Sequence, residues 1–386
     1  MKLGKIAVLV VVGGMALAVS GCGGGGGNST PSATPTESQS NSAPAAINYA
    51  TDVGVVLPTK AESRWPMAET QFKTAMPGAQ VLYSNDDTAT EKTNVETLIA
   101  AKVKVIVLCP KDAKVAAAAA DEAAAAGIKV IAYDRLIMDT ANVAAYSTFD
   151  SVKVGAAQAQ YLVDNATGKG NNLYLYAGDP GDNNSFLFFE GAWKVLQPKI
   201  ADGTFVVQNS AKAVAVKDSA TLTRQQEADI IGQVTTMWNT TTAKNLAEAN
   251  LGAASAAQKG NVYVLAPNDD TSRVMSDTFK SDADVKTVYS SGQDFTMASV
   301  QYILDGKQGM TVWKSDTALV AATKAVADSL IQGTGKASVL TTSYNNNKID
   351  VPSTAADIVT VTKANVQDVI TQSGLYKVDN GKVVAA

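Results

Sequence analysis

The chain has 386 residues, of which 46% are hydrophobic and 18% are charged, and its formal net charge is −4 with no histidine at all. This length accommodates two domains with sizeable cores, and an acidic balance without a basic cluster argues against a nucleic-acid partner. The absence of histidine excludes Ser-His-Asp and Cys-His nucleophiles, histidine general bases and histidine metal ligands.

The N-terminus has the organisation of an export signal followed by a linker. Two lysines precede an apolar run, Ile6 to Val19, and small residues then lead to Cys22. We interpret residues 1–21 as a lipoprotein signal peptide with Cys22 as the lipidated residue; the alternative is an ordinary secretory signal. Residues 22–49 are rich in Gly, Ser, Pro and Thr and predict a flexible tether. We therefore expect an extracytoplasmic protein, lipid-anchored to the outer face of the cytoplasmic membrane in the periplasm or at the cell surface.

From residue 50 onwards, short β-branched runs alternate with alanine-rich helical patterns, which predicts parallel strands joined by crossover helices. In chain order, the first series is strand 52–57, helix 64–75, strand 79–83, helix 90–101, strand 103–109, helix 113–126 and strand 128–133. The second series is helix 152–164, strand 172–177, helix 185–196, strand 204–208, helix 222–238, strands 261–266 and 286–290, helix 296–304, strand 310–313 and helix 317–332. A mixed tail follows.

Polar residues cluster where these predicted strands end. The pair Asp134-Arg135 directly follows a buried strand, and ligands of open α/β sheets bind beyond the carboxyl ends of the strands. The other residues in such positions are Asn183, Asn184, Asn268, Asp269, Gln293, Asp294 and Lys314, and Arg64-Trp65 follows the first strand. A surface ion pair or a helix N-cap explains any one of these pairs alone. Their recurrence in both series favours a shared cleft.

The order and spacing of seven segments match a known family. These segments are residues 53–59, 64–65, 128–136, 178–184, 268–269, 292–294 and 310–314. With them the chain resembles the periplasmic sugar-binding proteins of ABC transporters, in the xylose-binding and multiple-sugar-binding branch. The resemblance implies an α/β, type I periplasmic-binding fold, with two doubly wound parallel-sheet lobes joined by a three-crossing hinge and the ligand cleft between them. It implies an N-terminal lobe of residues 50–147 and 295–336, and a C-terminal lobe of residues 148–294 and 337–386.

The resemblance also implies which side chains contact the ligand. They are Arg64, Trp65, Asp134, Arg135, Asn184, Asn268, Asp294 and Lys314, with Asn183, Asp269 and Gln293 as neighbours that are either further contacts or caps and supports. Such donors and acceptors saturate sugar hydroxyls without a metal or a cofactor. Family members carry a tryptophan in the second lobe, and residues 209–225 contain none. We therefore expect the second aromatic wall to be missing or to be supplied by Phe186, Phe188 or Arg224.

The implied function is the binding of a monosaccharide, a xylose- or glucose/galactose-like aldose, by a monomer. The protein would close by hinge motion and hand its sugar to the transmembrane subunits of an ABC permease. A sensor that presents a sugar or another small signal to a membrane receptor kinase is the alternative. An enzyme that uses Asp134 and Asp294 as an acid–base pair is disfavoured, because the neighbouring donors Arg135 and Gln293 favour ionised acceptors.

Overall fold

The computed structural model describes residues 46–386. Its strands are β1 (Val53–Leu57), β2 (Gln80–Tyr83), β3 (Val105–Leu108), β4 (Lys129–Tyr133), β5 (Ala145–Phe149), β6 (Asn171–Leu175), β7 (Phe205–Val207), β8 (Gly260–Leu265), β9 (Val285–Ser290), β10 (Met310–Lys314), β11 (Thr342–Asn345), β12 (Asp350–Ala356), β13 (Ile358–Thr362), β14 (Tyr376–Asp379) and β15 (Lys382–Ala385). Its helices are α1 (Tyr49–Asp52), α2 (Arg64–Ala75), α3 (Thr88–Ala100), α4 (Ala116–Ala125), α5 (Ser151–Asp164), α6 (Asn183–Ala201), α7 (Ala211–Ala215), α8 (Arg224–Val234), α9 (Thr240–Ala253), α10 (Asp269–Lys280), α11 (Met297–Leu304), α12 (Asp316–Gln332) and α13 (Val366–Ser373).

Two sheets organise these elements into two lobes. The sheet of the first lobe has the order β11-β12-β5-β4-β3-β1-β2, and the sheet of the second lobe has the order β7-β6-β8-β9. All neighbouring strands are parallel except the antiparallel β11–β12 pair. In the second lobe, β10 pairs with β13 and β14 pairs with β15, both antiparallel. The sequence prediction of two parallel α/β sheets is confirmed.

The first sheet is buried on both faces, as its nearly continuous apolar strands require. Val53 and Val55 of β1 pack with Phe72 of α2 and with α12, whereas Val56 packs with β3 and α4 on the opposite face. Strand β5, which was not predicted, lies between β4 and β12 and extends this sheet.

Helices α5 and α6 cross at contact distance because two glycines face the partner backbone. A Cβ on Gly155 would lie 1.8 Å from the carbonyl oxygen of Phe188, and a Cβ on Gly191 would lie 1.9 Å from that of Val152. Only glycine allows this approach. The crossing fixes α6, whose first turn carries Asn184.

The predicted lobe boundaries are wrong in two segments. The resemblance implies that residues 295–314 belong to the first lobe, but β10 pairs with β13 and α11 packs with the second lobe. It implies that residues 337–356 belong to the second lobe, but β12 pairs in parallel with β5 of the first sheet. The first lobe therefore comprises residues 46–149 and 315–356, and the second comprises 150–314 and 357–386. The chain still crosses between the lobes three times.

The fold begins slightly before its predicted start at residue 50. Asn48 caps α1, and the hydroxyl of Tyr49 donates a 2.8 Å hydrogen bond to Asp328 of α12. The predicted signal peptide, Cys22 and most of the predicted tether lie outside the described residues. Between residues 46 and 386 we find no helix long and apolar enough to cross a membrane.

Candidate functional site

A cavity lies between the two lobes, beyond the carboxyl ends of the strands. All eight predicted ligand contacts line it, namely Arg64, Trp65, Asp134, Arg135, Asn184, Asn268, Asp294 and Lys314. Glu62, Asp182, Phe188, Trp238 and Gln293 complete the lining. Parallel strands deliver the residues that follow them to one edge of each sheet, and the two edges face each other here.

Arg64 is the central cation of the site. Its guanidinium lies 2.5 Å from Asp134, 3.1 Å from Asp316 and 3.8 Å from Asp294. Its side chain is only 4% exposed, and the first turn of α2 carries it. Burial disfavours the charged guanidinium, but Asp134, Asp316 and Asp294 more than offset this and raise the pKa of Arg64. The arrangement keeps a fixed positive charge in the cavity wall.

Asp134 is an ionised acceptor at the end of β4. Burial raises the pKa of its carboxyl, but the combined effect of Arg64, Lys314 and Arg135 lowers this pKa by more. The pKa of Asp134 therefore lies below its ordinary value. Its backbone has a φ of 60°, which non-glycine residues adopt only when the surrounding structure holds them. The side-chain amide of Asn184 donates to the Asp134 carbonyl oxygen at 3.0 Å and to its carboxylate at 3.3 Å.

Arg135 is held by acids of both lobes. Its Nε lies 2.9 Å from Asp182 of the second lobe, and its NH2 lies 3.6 Å from Glu62 of the first. The guanidinium also lies 5.0 Å from the ring centre of Trp65, a cation–π distance. Burial raises the pKa of Glu62 to about 7, although Arg135 opposes the shift.

Asp294 and Lys314 form the ion pair of the second lobe. Their charged groups are 2.9 Å apart, and both side chains are almost fully buried. Asp294 has a φ of 104° and the following Phe295 a φ of 56°. The Asp294 N–H donates to the carbonyl of Val312 at 2.9 Å, which fixes this turn against β10.

Asn268 combines two roles that the sequence left as alternatives. Its side-chain oxygen accepts from the Thr271 N–H at 3.1 Å, so it caps α10. It also lines the cavity. A helix cap and a cavity-lining residue are therefore compatible at one position.

The second lobe places aromatic rings in the cavity wall, and of the three residues expected there only Phe188 is among them. Trp238 lines the cavity together with Phe188, and their ring centres are 6.3 Å apart in an edge-on arrangement. The predicted helix 222–238 ends at Val234, so Trp238 lies in a loop with a φ of 57°. A Cβ on Gly178 would lie 2.0 Å from its indole, so that glycine makes room for the ring.

Phe186 and Arg224 lie elsewhere. The Arg224 guanidinium stacks 3.2 Å from the Phe186 ring centre and donates to Asn183 at 3.0 Å. Asn183 and Arg224 line a separate groove rather than the cavity. Asn183 is thus outside the site, while its neighbour Asn184 is inside it.

The two remaining uncertain neighbours also differ from each other. Gln293 lines the cavity, and its amide donates to the carbonyl of Pro267 at 2.7 Å. Asp269 is buried behind the cavity, where it accepts from the Thr296 N–H and from Gln308, each at 2.9 Å. Burial raises the pKa of Asp269 to about 7. Asp269 therefore supports the loop that carries Asp294.

Sequence reasoning missed Glu62, Asp182 and Asp316. Asp316 is the first residue of α12, and burial raises its pKa to about 6 although Arg64 opposes this. The signal available in the sequence was an acid two positions from a predicted site residue: Glu62 before Arg64, Asp182 before Asn184 and Asp316 after Lys314. Among residues 46–386, no cluster of His, Cys, Asp and Glu has a metal-binding arrangement. The site offers alternating donors and acceptors between aromatic rings.

Comparison with known proteins identifies the family. The family model "periplasmic binding protein domain" matches residues 53–336. The multiple sugar-binding periplasmic receptor ChvE of Rhizobium radiobacter is 34% identical over 352 residues, which is 88% of this chain and 95% of the relative. The D-xylose-binding periplasmic protein of Escherichia coli (strain K12) is 31% identical over 84% of this chain and 91% of the relative.

Solved structures agree with these relatives. A carbohydrate transporter solute binding protein from Chloroflexus aurantiacus, in complex with D-glucose, is 56% identical with a TM-score of 0.81 and covers 83% of this chain and 95% of its own. An ABC transporter solute binding protein from Clostridium phytofermentans, with bound β-D-glucose, is 31% identical with a TM-score of 0.72, over 84% of this chain and 98% of its own. The chain therefore belongs to the periplasmic binding protein domain family, whose members are solute-binding proteins and not enzymes, and the predicted family is confirmed.

Proposed function

We propose that this member of the family binds a monosaccharide, a glucose- or xylose-like aldose, in the cavity between its lobes. The observation that carries the proposal is the lining itself. Fixed acceptors (Asp134, Asp294) lie beside fixed donors (Arg64, Lys314), and each sugar hydroxyl needs one of each. The proposed contacts are Arg64, Trp65, Asp134, Arg135, Asn184, Asn268, Asp294 and Lys314, joined by Phe188, Trp238 and Gln293.

Unpaired polar atoms in the lining support a ligand rich in hydroxyls. Within residues 46–386, the indole nitrogen of Trp238 and the amide oxygen of Gln293 are buried without a hydrogen-bond partner. Such atoms cost free energy unless a partner meets them. One is a donor and the other an acceptor, which suits a group that both donates and accepts.

The burial of the cavity lining supports a small ligand. Arg64 and Asp134 are each 4% exposed and Asp294 is 5% exposed, so a sugar in contact with them is enclosed by both lobes. The bound glucose of the two similar structures makes D-glucose the first ligand to test.

A thermal-shift and calorimetry series tests this proposal. D-Glucose, D-xylose, D-galactose and maltose are added to the purified protein. A ligand that binds only the folded state raises the melting temperature by mass action, with about 2.7 kcal/mol of stabilisation at 100 times Kd. We expect one of the monosaccharides, and not maltose, to do so. If none of the monosaccharides shifts the melting temperature or releases heat, the proposal is wrong.

We further propose that a lipid on Cys22 anchors the protein and that an ABC permease receives the sugar. Cys22 lies after an apolar run in the sequence. Cys22→Ser should move the protein from the membrane fraction to the soluble fraction. Deleting the gene should abolish uptake of the labelled sugar by cells at low sugar concentration. The purified protein should leave the sugar chemically unchanged. Unaltered fractionation or unaltered uptake would contradict the respective proposal.

A further inference from the structure

The residues of the cavity are too deeply buried to admit a sugar without separation of the lobes. Arg64 and Asp134 are each 4% exposed and Asp294 is 5% exposed. If the proposed function holds, the sugar enters and leaves through an open form of the protein. Contacts that join the lobes outside the cavity therefore contribute to the lifetime of the bound state.

One such contact joins the start of α2 in the first lobe to α10 in the second. The Ser63 N–H donates to one carboxylate oxygen of Asp270 at 2.8 Å, and the Ser63 hydroxyl donates to the other at 3.0 Å. Asp270 is 6% exposed, so its carboxylate is largely shielded from water. Hydrogen bonds to a carboxylate are stronger than those between neutral groups.

The geometry makes Asp270 a cap supplied by the other lobe. Ser63 occupies the N-cap position of α2, yet its side chain makes no capping bond to its own helix. The positive end of the helix dipole and its free N–H groups favour a carboxylate at this place. The next two residues are Arg64 and Trp65, so the cap acts directly on the turn that carries two cavity residues.

Asp270 is itself fixed in the second lobe before any contact with the first. Arg273 lies 2.6 Å from its carboxylate and donates in turn to Thr296 at 2.9 Å and to Ser299 at 2.8 Å. The carboxylate is therefore already oriented when the lobes meet. A pre-oriented group loses little entropy when it binds.

We propose that Asp270 is a closure latch: it docks on the N-terminus of α2, holds Arg64 and Trp65 in the closed arrangement, and so slows sugar release. It is a positioning residue, because it touches no part of the cavity. This inference rests on the proposed function, since the ligand whose release it slows is the sugar.

Stopped-flow measurement of tryptophan fluorescence with D-glucose or D-xylose tests the latch. Asp270→Asn should raise the dissociation rate about 10- to 100-fold, the range expected for loss of charge-assisted hydrogen bonds, and leave the association rate within about twofold. Ser63→Ala, which keeps the backbone bond, should give a smaller increase. Adding Ser63→Ala to Asp270→Asn should give less than the product of the two single effects.

The matched control is Asp277→Asn in the same helix. Its carboxylate accepts a hydrogen bond from Tyr302, which belongs to the same lobe. This variant should leave the dissociation rate unchanged. A merely structural role of Asp270, as an acid in the first turn of α10, would lower the melting temperature without sugar and leave the dissociation rate independent of Ser63. That outcome, or an unchanged dissociation rate in Asp270→Asn, overturns the latch.

Failure of the proposed function is distinguishable from failure of the latch. If the unaltered protein binds none of the sugars, the proposed function is wrong. Small-angle scattering then tests the latch without ligand. If Asp270 holds the lobes together, Asp270→Asn should have a larger radius of gyration than both the unaltered protein and Asp277→Asn. Identical radii for all three would overturn the latch on its own terms.

Discussion

Asp134 of the first lobe and Asp294 of the second occupy equivalent places but are held differently. Each follows the carboxyl end of a strand, each has a left-handed backbone, and each lies near Arg64. The main chain of Asp134 makes four hydrogen bonds. Its N–H donates to the carbonyl of Ser147, and its carbonyl accepts from the side chains of Tyr146, Thr148 and Asn184. The Asp294 N–H donates to Val312, and its carboxylate lies beside Lys314.

The cations that face these two acids differ in how many carboxylates lie close to them. Besides Asp134, Arg64 has Asp316 and Asp294 within 4 Å. In residues 46–386, Asp294 is the only carboxylate within 4 Å of the Lys314 ammonium. Breaking a buried pair is costly because it leaves one charge uncompensated. Loss of Asp134 should therefore affect mainly sugar binding, and loss of Asp294 should affect the stability of the protein as well.

Asp134→Ala should have the largest effect on sugar affinity. It removes an ionised acceptor from a water-excluded site, which costs about 4 kcal/mol, or roughly a thousandfold in Kd by calorimetry. The melting temperature without sugar should change little, because Arg64 retains two acids. Asp139→Ala, a residue of the same lobe with a φ of 62° outside the cavity, is the control. Affinity retained in Asp134→Ala would remove this residue from the proposed contacts.

Asp294→Asn should weaken affinity about a hundredfold and also destabilise the protein without sugar by about 3 kcal/mol. The second effect has a specific cause, the unpaired ammonium of Lys314. Adding Lys314→Met to Asp294→Asn should therefore restore stability in a denaturant titration without restoring affinity. If the double variant is no more stable than the single one, the contrast between the two aspartates is not due to their partner cations.

The aromatic wall of the second lobe gives a further test. Trp238→Ala should weaken affinity about 10- to 30-fold, a typical loss for a buried aromatic contact, and Trp238→Phe should weaken it less. Trp193→Phe is the control, because Trp193 lies in the core of the second lobe and donates to the carbonyl of Ser219. Equal affinities of the Trp193 and Trp238 variants would show that the second wall makes no contact with sugar.

These residues also mark what sequence could reveal. Asp134, Asn268 and Asp294 follow apolar runs whose burial is readable, so their positions at the mouth of a cleft were predictable. Trp238 was not, because the preceding helical pattern continues through residues that the structure places in consecutive left-handed conformations. From sequence, Asp316 is an ordinary acid at the start of a helix. Its second role, as an ion-pair partner of Arg64, depends on the folded structure, which brings α2 next to α12.

The lobe boundaries failed for a related reason. Strand β12 pairs with β5, although about 200 residues separate them in the chain. The predicted boundaries come from the resemblance and place β12 in the second lobe. Local periodicity could not correct them, because it carries no information about which distant strand a segment joins. The two-sheet architecture was therefore predictable from alternation, whereas the points at which the chain crosses between lobes were not.

Asp316→Asn should have the smallest effect on affinity, about two- to threefold, because Asp316 contacts Arg64 rather than the cavity. Its effect on stability should depend on pH. The pKa of Asp316 is raised by burial from an ordinary 3.8 to about 6, so between these values the folded protein holds a proton that the unfolded chain releases. The contribution of Asp316 to stability is thus fully present below about pH 4 and is lost as the pH rises through 6.

Asparagine does not titrate, so the stability of the variant relative to the unaltered protein should rise over this interval. Denaturant titrations from pH 4 to 8 measure this, with Thr317→Ala as a non-titrating control in the same helix. Parallel curves for Asp316→Asn and the unaltered protein would mean that Arg64 keeps this carboxylate ionised throughout, and that it then belongs with Asp134 as a permanent partner of that cation.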